Sequence, residues 1–280
     1  MAKSKKQAPD SLSRVLAALG EDQPQVIRAI VADLHPADIA TLLESIPPNQ
    51  RHAVWTLVPA PLMGEVLLEV SEGVRTGLLA EMDGAQLVTS VKGLDTDDIA
   101  DLIPDLPDEV IAEILYALDQ QDRQRLDTVL SFPEDTAGGL MNVDTITVRE
   151  NINLEVVLRY LRRRGELPEH TNGLFVVDRD DRLLGVLSLA RLLTSDANLR
   201  VAQVMDREPV KFAVLMPDHE VAAAFERYNL VTAPVIDDQN RLLGRITVDD
   251  VVDVIREQAD RTVMAQVGLS EEEDIFAPVV

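Results

Sequence analysis

The second half of the chain is written twice. Arg182-Leu183-Leu184-Gly185 returns as Arg241-Leu242-Leu243-Gly244, and Val176-Val177-Asp178 returns as Val235-Ile236-Asp237, both 59 positions apart (185 against 244, 178 against 237). A unit repeated at that spacing must fold twice in nearly the same way, so any fold for this region has to supply two equivalent places. In the first copy the pattern predicts a strand over 145–148. An amphipathic helix over 153–164 follows, with Leu154, Val157, Leu158 and Leu161 on one face. Strands over 174–177 and 183–187 come next, joined by the polar turn 178–182. The second copy supplies a strand over 210–213 and a helix over 218–228. Each copy reads as βαββα.

Residues 10–130 carry a different pattern. Apolar side chains recur every three or four positions, as in Leu12, Val15, Leu16 and Leu19, or Ile39, Leu42, Leu43 and Ile46. Pro47-Pro48, Pro59, Pro61, Gly73, Gly84, Gly93, Pro104 and Pro107 cut the pattern into short helices. Ser71 and Thr96 are expected N-caps. A fainter echo runs at 60 positions: Asp38-Ile39-Ala40 and Pro47 reappear as Asp98-Ile99-Ala100 and Pro107. Short helices that cannot bury their apolar faces alone stack, so this half reads as an all-α, armadillo- or HEAT-like superhelical domain. The expected order is helical domain 10–134, first repeat 138–200, second repeat 201–258, then a connecting helix and tail 259–280.

Composition narrows the function. Forty-nine acidic residues face 26 Lys and Arg among 280, a formal charge of −23. Phosphate backbones are held by Lys and Arg, so no nucleic-acid partner is expected, whereas cations are drawn to such a surface. There is no cysteine, which excludes thiolate metal sites and disulfides. No stretch is long and apolar enough to cross a bilayer, and basic Met1–Lys6 lacks the apolar run of a signal peptide. No phosphate-cradling glycine loop or Ser, His and Asp grouping is present, so no enzyme is expected. Gly138-Gly139 reads as a linker.

The repeated half resembles a tandem pair of CBS domains. The resemblance rests on Leu140-Met141 and Val204-Met205 ahead of each copy, the Val-Val-Asp and Val-Ile-Asp strands, and the tail Gly244-Arg245-Ile246-Thr247-Val248-Asp249-Asp250. The first tail departs from it, with Arg191 where Asp is expected. The whole chain is similar to MgtE-type magnesium channels through 34–38, Asp135-Thr136-Ala137-Gly138-Gly139-Leu140-Met141, 157–162, 185–189, 247–251 and 270–278. That resemblance implies a cytosolic sensing and gating region. It implies a homodimer through the CBS domains, and a transmembrane pore as the partner, absent from a chain that stops at Val280 and is itself soluble. In full-length relatives such a region faces the cytoplasmic side of the bacterial inner membrane.

The chemistry of candidate sites follows from the acids. Asp97 and Asp101 share a helix face, and so do Asp250 and Asp253. From the residues alone these are N-cap and first-turn carboxylates favoured by the helix dipole. The resemblance implies instead that Glu65, Asp97, Asp101, Asp250 and Asp253 coordinate Mg2+, a hard ion that takes oxygen ligands and keeps several waters. In this reading Mg2+ bridges the acidic helical domain and the CBS dimer and closes the pore. The alternative is an adenine-nucleotide regulator, with Thr247 and Asp250 holding ATP or AMP. A third class is a scaffold, since the helical domain also resembles armadillo parts of a flagellar motor switch protein. Several acids expected from the family are replaced, by His219, Asn229, Gln258 and Arg261.

Overall fold

The computed structural model describes residues 8–267 apart from 92, 93 and 169. Met1–Lys6 and the tail 270–278 therefore lie outside the described residues. The chain divides into two units, the first made of the residues up to Arg123 together with those from Asp260 on, the second of Gln124–Ala259.

The first unit is helical: α1 (Ala8–Gly20), α2 (Pro24–Ala32), α3 (Pro36–Glu44), α4 (Pro48–Trp55), α5 (Ala60–Glu69), α6 (Glu72–Leu79), α7 (Gly84–Ser90), α8 (Thr96–Leu102) and α9 (Asp108–Ala117), with a 3-10 turn at Ile103–Asp105 before α9. A further helix, α10 (Gln120–Val129), spans the boundary. Proline opens several of these helices because its fixed φ suits the first turn, where its missing N–H would be unbonded anyway. Pro24, Pro36 and Pro48 each start one. Alternate helices form a row: α3 packs on α1 and α5, α5 on α7, and α7 on α9. Ile39, Leu43, Val66 and Leu67 are fully buried along it.

The 60-residue echo falls on equivalent places, with Asp38 and Asp98 in the first turns of α3 and α8, and Pro47 and Pro107 before α4 and α9. Of the two expected caps, Ser71 falls at an N-cap and Thr96 does not. Thr96 is the first residue inside α8. Ser71 stands at the N-cap of α6 without a side-chain cap bond, and its amide instead donates to Glu44 at 2.8 Å.

The second unit holds β1 (Thr147–Val148), α11 (Leu154–Arg164), β2 (Gly173–Val177), β3 (Leu183–Ser188), α12 (Leu189–Thr194) and α13 (Val201–Val204). Then come β4 (Phe212–Ala213), α14 (Asp218–Tyr228), β5 (Thr232–Ile236), β6 (Leu242–Thr247) and α15 (Val248–Val267), which leaves this unit after Ala259. The strands make two three-stranded sheets with identical wiring, β1-β2-β3 and β4-β5-β6. In each the short first strand runs parallel to the middle one, which pairs antiparallel with the third.

The two sheets exchange their lead-in segments. Asn142 pairs with Arg245 of β6, and Asp206 pairs with Val186 of β3. Ala137 and Met141 accordingly belong to the core of the second sheet, beside Phe212, Val235 and Ile246. Val201 and Met205 belong to the core of the first, beside Leu174 and Leu187. Gly138 is buried and donates to the Val214 carbonyl, so the expected linker is built into the second sheet.

Candidate cation and nucleotide sites

In the helical unit the candidate acids sit on α5 and α8, which pack against each other. Asp97 is in the first turn of α8 and is 7% exposed, while Asp101, one turn on, is exposed. Glu65 is exposed on α5, flanked by the buried Gly64 and Val66. The spacing that put Asp97 and Asp101 on one face thus joins a covered carboxylate to an open one. Among the described residues no group of three or more Asp, Glu or His is gathered to hold a metal ion.

In the second unit the structure brings Thr247 and Asp250 together. Thr247 is buried at the end of β6, and Asp250 is in the first turn of α15. The Thr247 amide and hydroxyl both donate to Asp250 Oδ2, at 3.2 and 2.8 Å. Asp253 is exposed and forms an ion pair with Arg256 at 3.2 Å, one turn along the same helix. His170 Nε2 lies 3.1 Å from Asp249, and the His170 carbonyl accepts from the Thr232 hydroxyl at 3.2 Å. Sequence reasoning missed His170. It belongs to the loop between α11 and β2 of the first repeat and meets the second only through the fold.

The departures from family pattern have local reasons. Asn229 closes α14 in the left-handed region (φ 50, ψ 49), a conformation Asn tolerates better than a carboxylate on a longer stem. Arg191 turns back: its amide donates to Ser188 Oγ at 3.2 Å, and its Nη1 donates to the Val204 carbonyl at 3.0 Å. Val204 ends α13, so the guanidinium lies at the negative end of that helix. His219 is exposed beside Asp218 on α14. Arg261 lies in the part of α15 whose side chains are outside the described set.

A helical array followed by two sheet units sharing swapped lead-ins defines a protein with a helical N-terminal domain and a CBS pair. The model of the MgtE intracellular N domain matches residues 34–135, and that of the CBS domain matches 137–198 and 201–257. The chain is similar to the cytosolic domain of the Mg2+ channel MgtE solved in complex with ATP, at 32% identity and a TM-score of 0.76, covering 87% of this chain and 99% of that one. The chain belongs to the MgtE family and carries its N domain and CBS pair.

Magnesium transporter MgtE of Thermus thermophilus is 33% identical over 245 residues, 86% of this chain and 54% of that protein. The corresponding transporter of Bacillus subtilis is 23% identical, over 88% of this chain and 55% of that protein. The chain therefore spans about half the length of the curated relatives it matches. The soluble part of a magnesium transporter, at 22% identity with a TM-score of 0.72, shares the fold. No described helix is long and apolar enough to cross a membrane.

Proposed function

We propose that this chain is the ligand-sensing region of an MgtE-type magnesium channel, working as a homodimer through its CBS domains and coupled to a transmembrane pore. The observation that carries this reading is the match to the MgtE cytosolic domain over 99% of that chain's length. Mg2+ keeps most of its waters and takes one or two carboxylates at a weak site. Asp97 with Asp101 on α8, Glu65 on α5, and Asp250 with Asp253 on α15 supply such carboxylates singly or in pairs, and a second surface or water completes each shell.

Ions held jointly by the acidic helical unit and the CBS dimer favour a compact form, and that form holds the pore closed. Their effect is limited to their differential affinity for that form. Moving a 1:99 balance to 99:1 takes about 5.5 kcal/mol, so several weak ions must act together. A second reading, adenine-nucleotide binding at the CBS pair, is favoured by the Thr247–Asp250 pair at 2.8 Å and by the ATP bound to the relative.

Small-angle scattering of the chain through millimolar magnesium, at matched ionic strength and with calcium and ATP arms, tests both. Compaction by magnesium that is lost in the Asp97→Ala/Asp101→Ala variant is expected. A radius of gyration indifferent to magnesium would sink the cation reading, and compaction by ATP alone would transfer it to the nucleotide.

A further inference from the structure

Two exposed surfaces of the chain complement each other. The first is a groove of about 420 Å³ between α7 and α9, lined by Ala85, Val88, Ala112, Glu113, Tyr116 and Ala117. On each helix these positions recur three or four apart, so they share a face. Three alanines leave a furrow, and beside it Tyr116 is 86% exposed. An aromatic ring standing in water next to an apolar furrow is the composition of a docking surface. α9 ends the row of alternate helices, and the end of a stacked array is where an apolar face lacks its next repeat. The surroundings ask for a cationic partner: from Asp95 to Asp122 the sequence carries ten Asp and Glu and no Lys or Arg.

The second surface supplies the cations. Leu154, Val157, Leu158 and Leu161 turn one face of α11 to the core of the first sheet, and Arg159, Tyr160, Arg162 and Arg163 are exposed on the other. Among the described residues the side chains of these three arginines have no ion pair or hydrogen bond, whereas Arg164 beside them reaches Asp144 at 3.4 Å. Arg159 stands three and four positions from Arg162 and Arg163, the spacing at which like charges repel along a helix. A helix C-terminus favours cations, but the fold does not require this many. The equivalent helix of the second repeat, α14, ends Phe225-Glu226-Arg227-Tyr228. Tyr160, 43% exposed among the arginines, adds an apolar anchor of the kind a furrow accepts.

We propose that α11 of one copy docks in the α7–α9 groove of a second copy. Tyr160 enters the furrow, and Arg159, Arg162 and Arg163 meet the carboxylates around it, among them Glu109 and Glu113. This is helix-in-groove recognition, with the charges setting the choice of partner. Each copy brings both surfaces, so a two-fold pair makes the contact twice. Ion pairs and apolar burial hold it without a metal, and it does not rest on the cation reading.

The chain has no cysteine, so single cysteines report on chosen places. Full chains carrying Glu166→Cys, just beyond α11, are mixed in EDTA at low salt with differently tagged chains carrying Ala85→Cys. A short flexible bis-maleimide joins them, and pairs of unlike copies are read by mass. Unlike pairs are expected. Their yield should fall at least about tenfold when the first copy also carries Arg159→Glu, Arg162→Glu and Arg163→Glu, because like charges then face each other. It should return when the second copy carries Glu109→Lys and Glu113→Lys. No unlike pairs, a yield indifferent to the reversal, or a reversal that the lysines do not rescue overturns the proposal. Linkage only within single chains that carry both cysteines puts α11 in the groove of its own chain, and overturns it too. If the triple variant does not fold, Arg162→Glu alone decides by the same comparison.

Discussion

Asp250 Oδ2 accepts from both the amide and the hydroxyl of Thr247, at 3.2 and 2.8 Å, and so closes the turn from which α15 leaves β6. One carboxylate oxygen thereby holds the N-terminus of the 20-residue helix that follows the CBS pair. A cap of this kind contributes about 1 kcal/mol. Asp250→Ala and Thr247→Ala are each expected to lower urea stability by about that amount in magnesium-free buffer. The double variant should lose little more than either one, since both break the same turn. Strictly additive losses would mean the two residues stabilise the helix separately.

The glycines of the two tails have the same neighbour in both sheets. A Cβ on Gly185 would run into the Asp206 carbonyl, and one on Gly244 would meet the Asn142 carbonyl at 2.8 Å. Both clashes are with the exchanged lead-in backbone, which has little room to retreat. Gly185→Ala is expected to cost about 1–3 kcal/mol, as overpacking does. Gly77 is the counter-case: it is inside α6 with nothing within 4 Å of an added Cβ. Gly77→Ala should stabilise by about 0.5–1 kcal/mol by reducing unfolded-chain entropy. Thermal melts of the two variants moving in the same direction would contradict this account.

Arg51 ties two helices of the first unit together. Its side chain, on α4, reaches the Leu43 carbonyl in the last turn of α3 and the Ile46 carbonyl just beyond it, where the helix dipole is negative. Arg51→Met keeps the apolar stem but takes the guanidinium donors from both carbonyls, of which that of Leu43 keeps the Ile46 amide at 3.4 Å. A loss of about 2 kcal/mol is expected from denaturant unfolding. A variant as stable as wild type would show that water replaces the guanidinium there.

Much of this was legible in the sequence because periodicity reports packing. The 59-residue repeat became two identically wired sheets, and the expected helix 218–228 is α14 at those bounds. Local signals failed where the partner is distant in sequence. Gly138-Gly139 reads as a linker until the pairing of Ala137 and Gly138 with Met216 and Val214 is known. His170 near Asp249 depends on which loop the fold brings to the start of α15. The acids carry the opposite ambiguity. Asp97 and Asp250 have the same spacing whether they start helices or bind ions, and the geometry of Asp250 shows it performing the first task within the chain itself.

The repeat also predicts a shared response to acid. Asp178 and Asp237, equivalent residues, end β2 and β5 and turn the chain into β3 and β6. The Arg182 amide, 3.0 Å away, draws the Asp178 carboxyl below the usual range; slight burial opposes it, and the Asp180 amide and the charges of Arg182 and Arg149 assist. For Asp237 burial pulls upward most strongly. The Arg241 amide at 2.8 Å, the Arg241 guanidinium at 2.7 Å and the Gln239 amide together outweigh it. Both carboxyls are thus more acidic folded than unfolded. Their stabilisation is complete above the unfolded value of 3.8 and disappears as pH falls through the lower folded values, because the native state must then take up protons the unfolded state already holds. Wild type should therefore melt progressively lower as pH falls below about 4. Asp178→Asn and Asp237→Asn, less stable than wild type near neutrality, should converge on it in that same window. Melting curves for the three proteins that stay parallel from pH 6 to pH 3, roughly the span over which carboxylates titrate, would assign the turns' stability to backbone geometry instead of carboxylate charge.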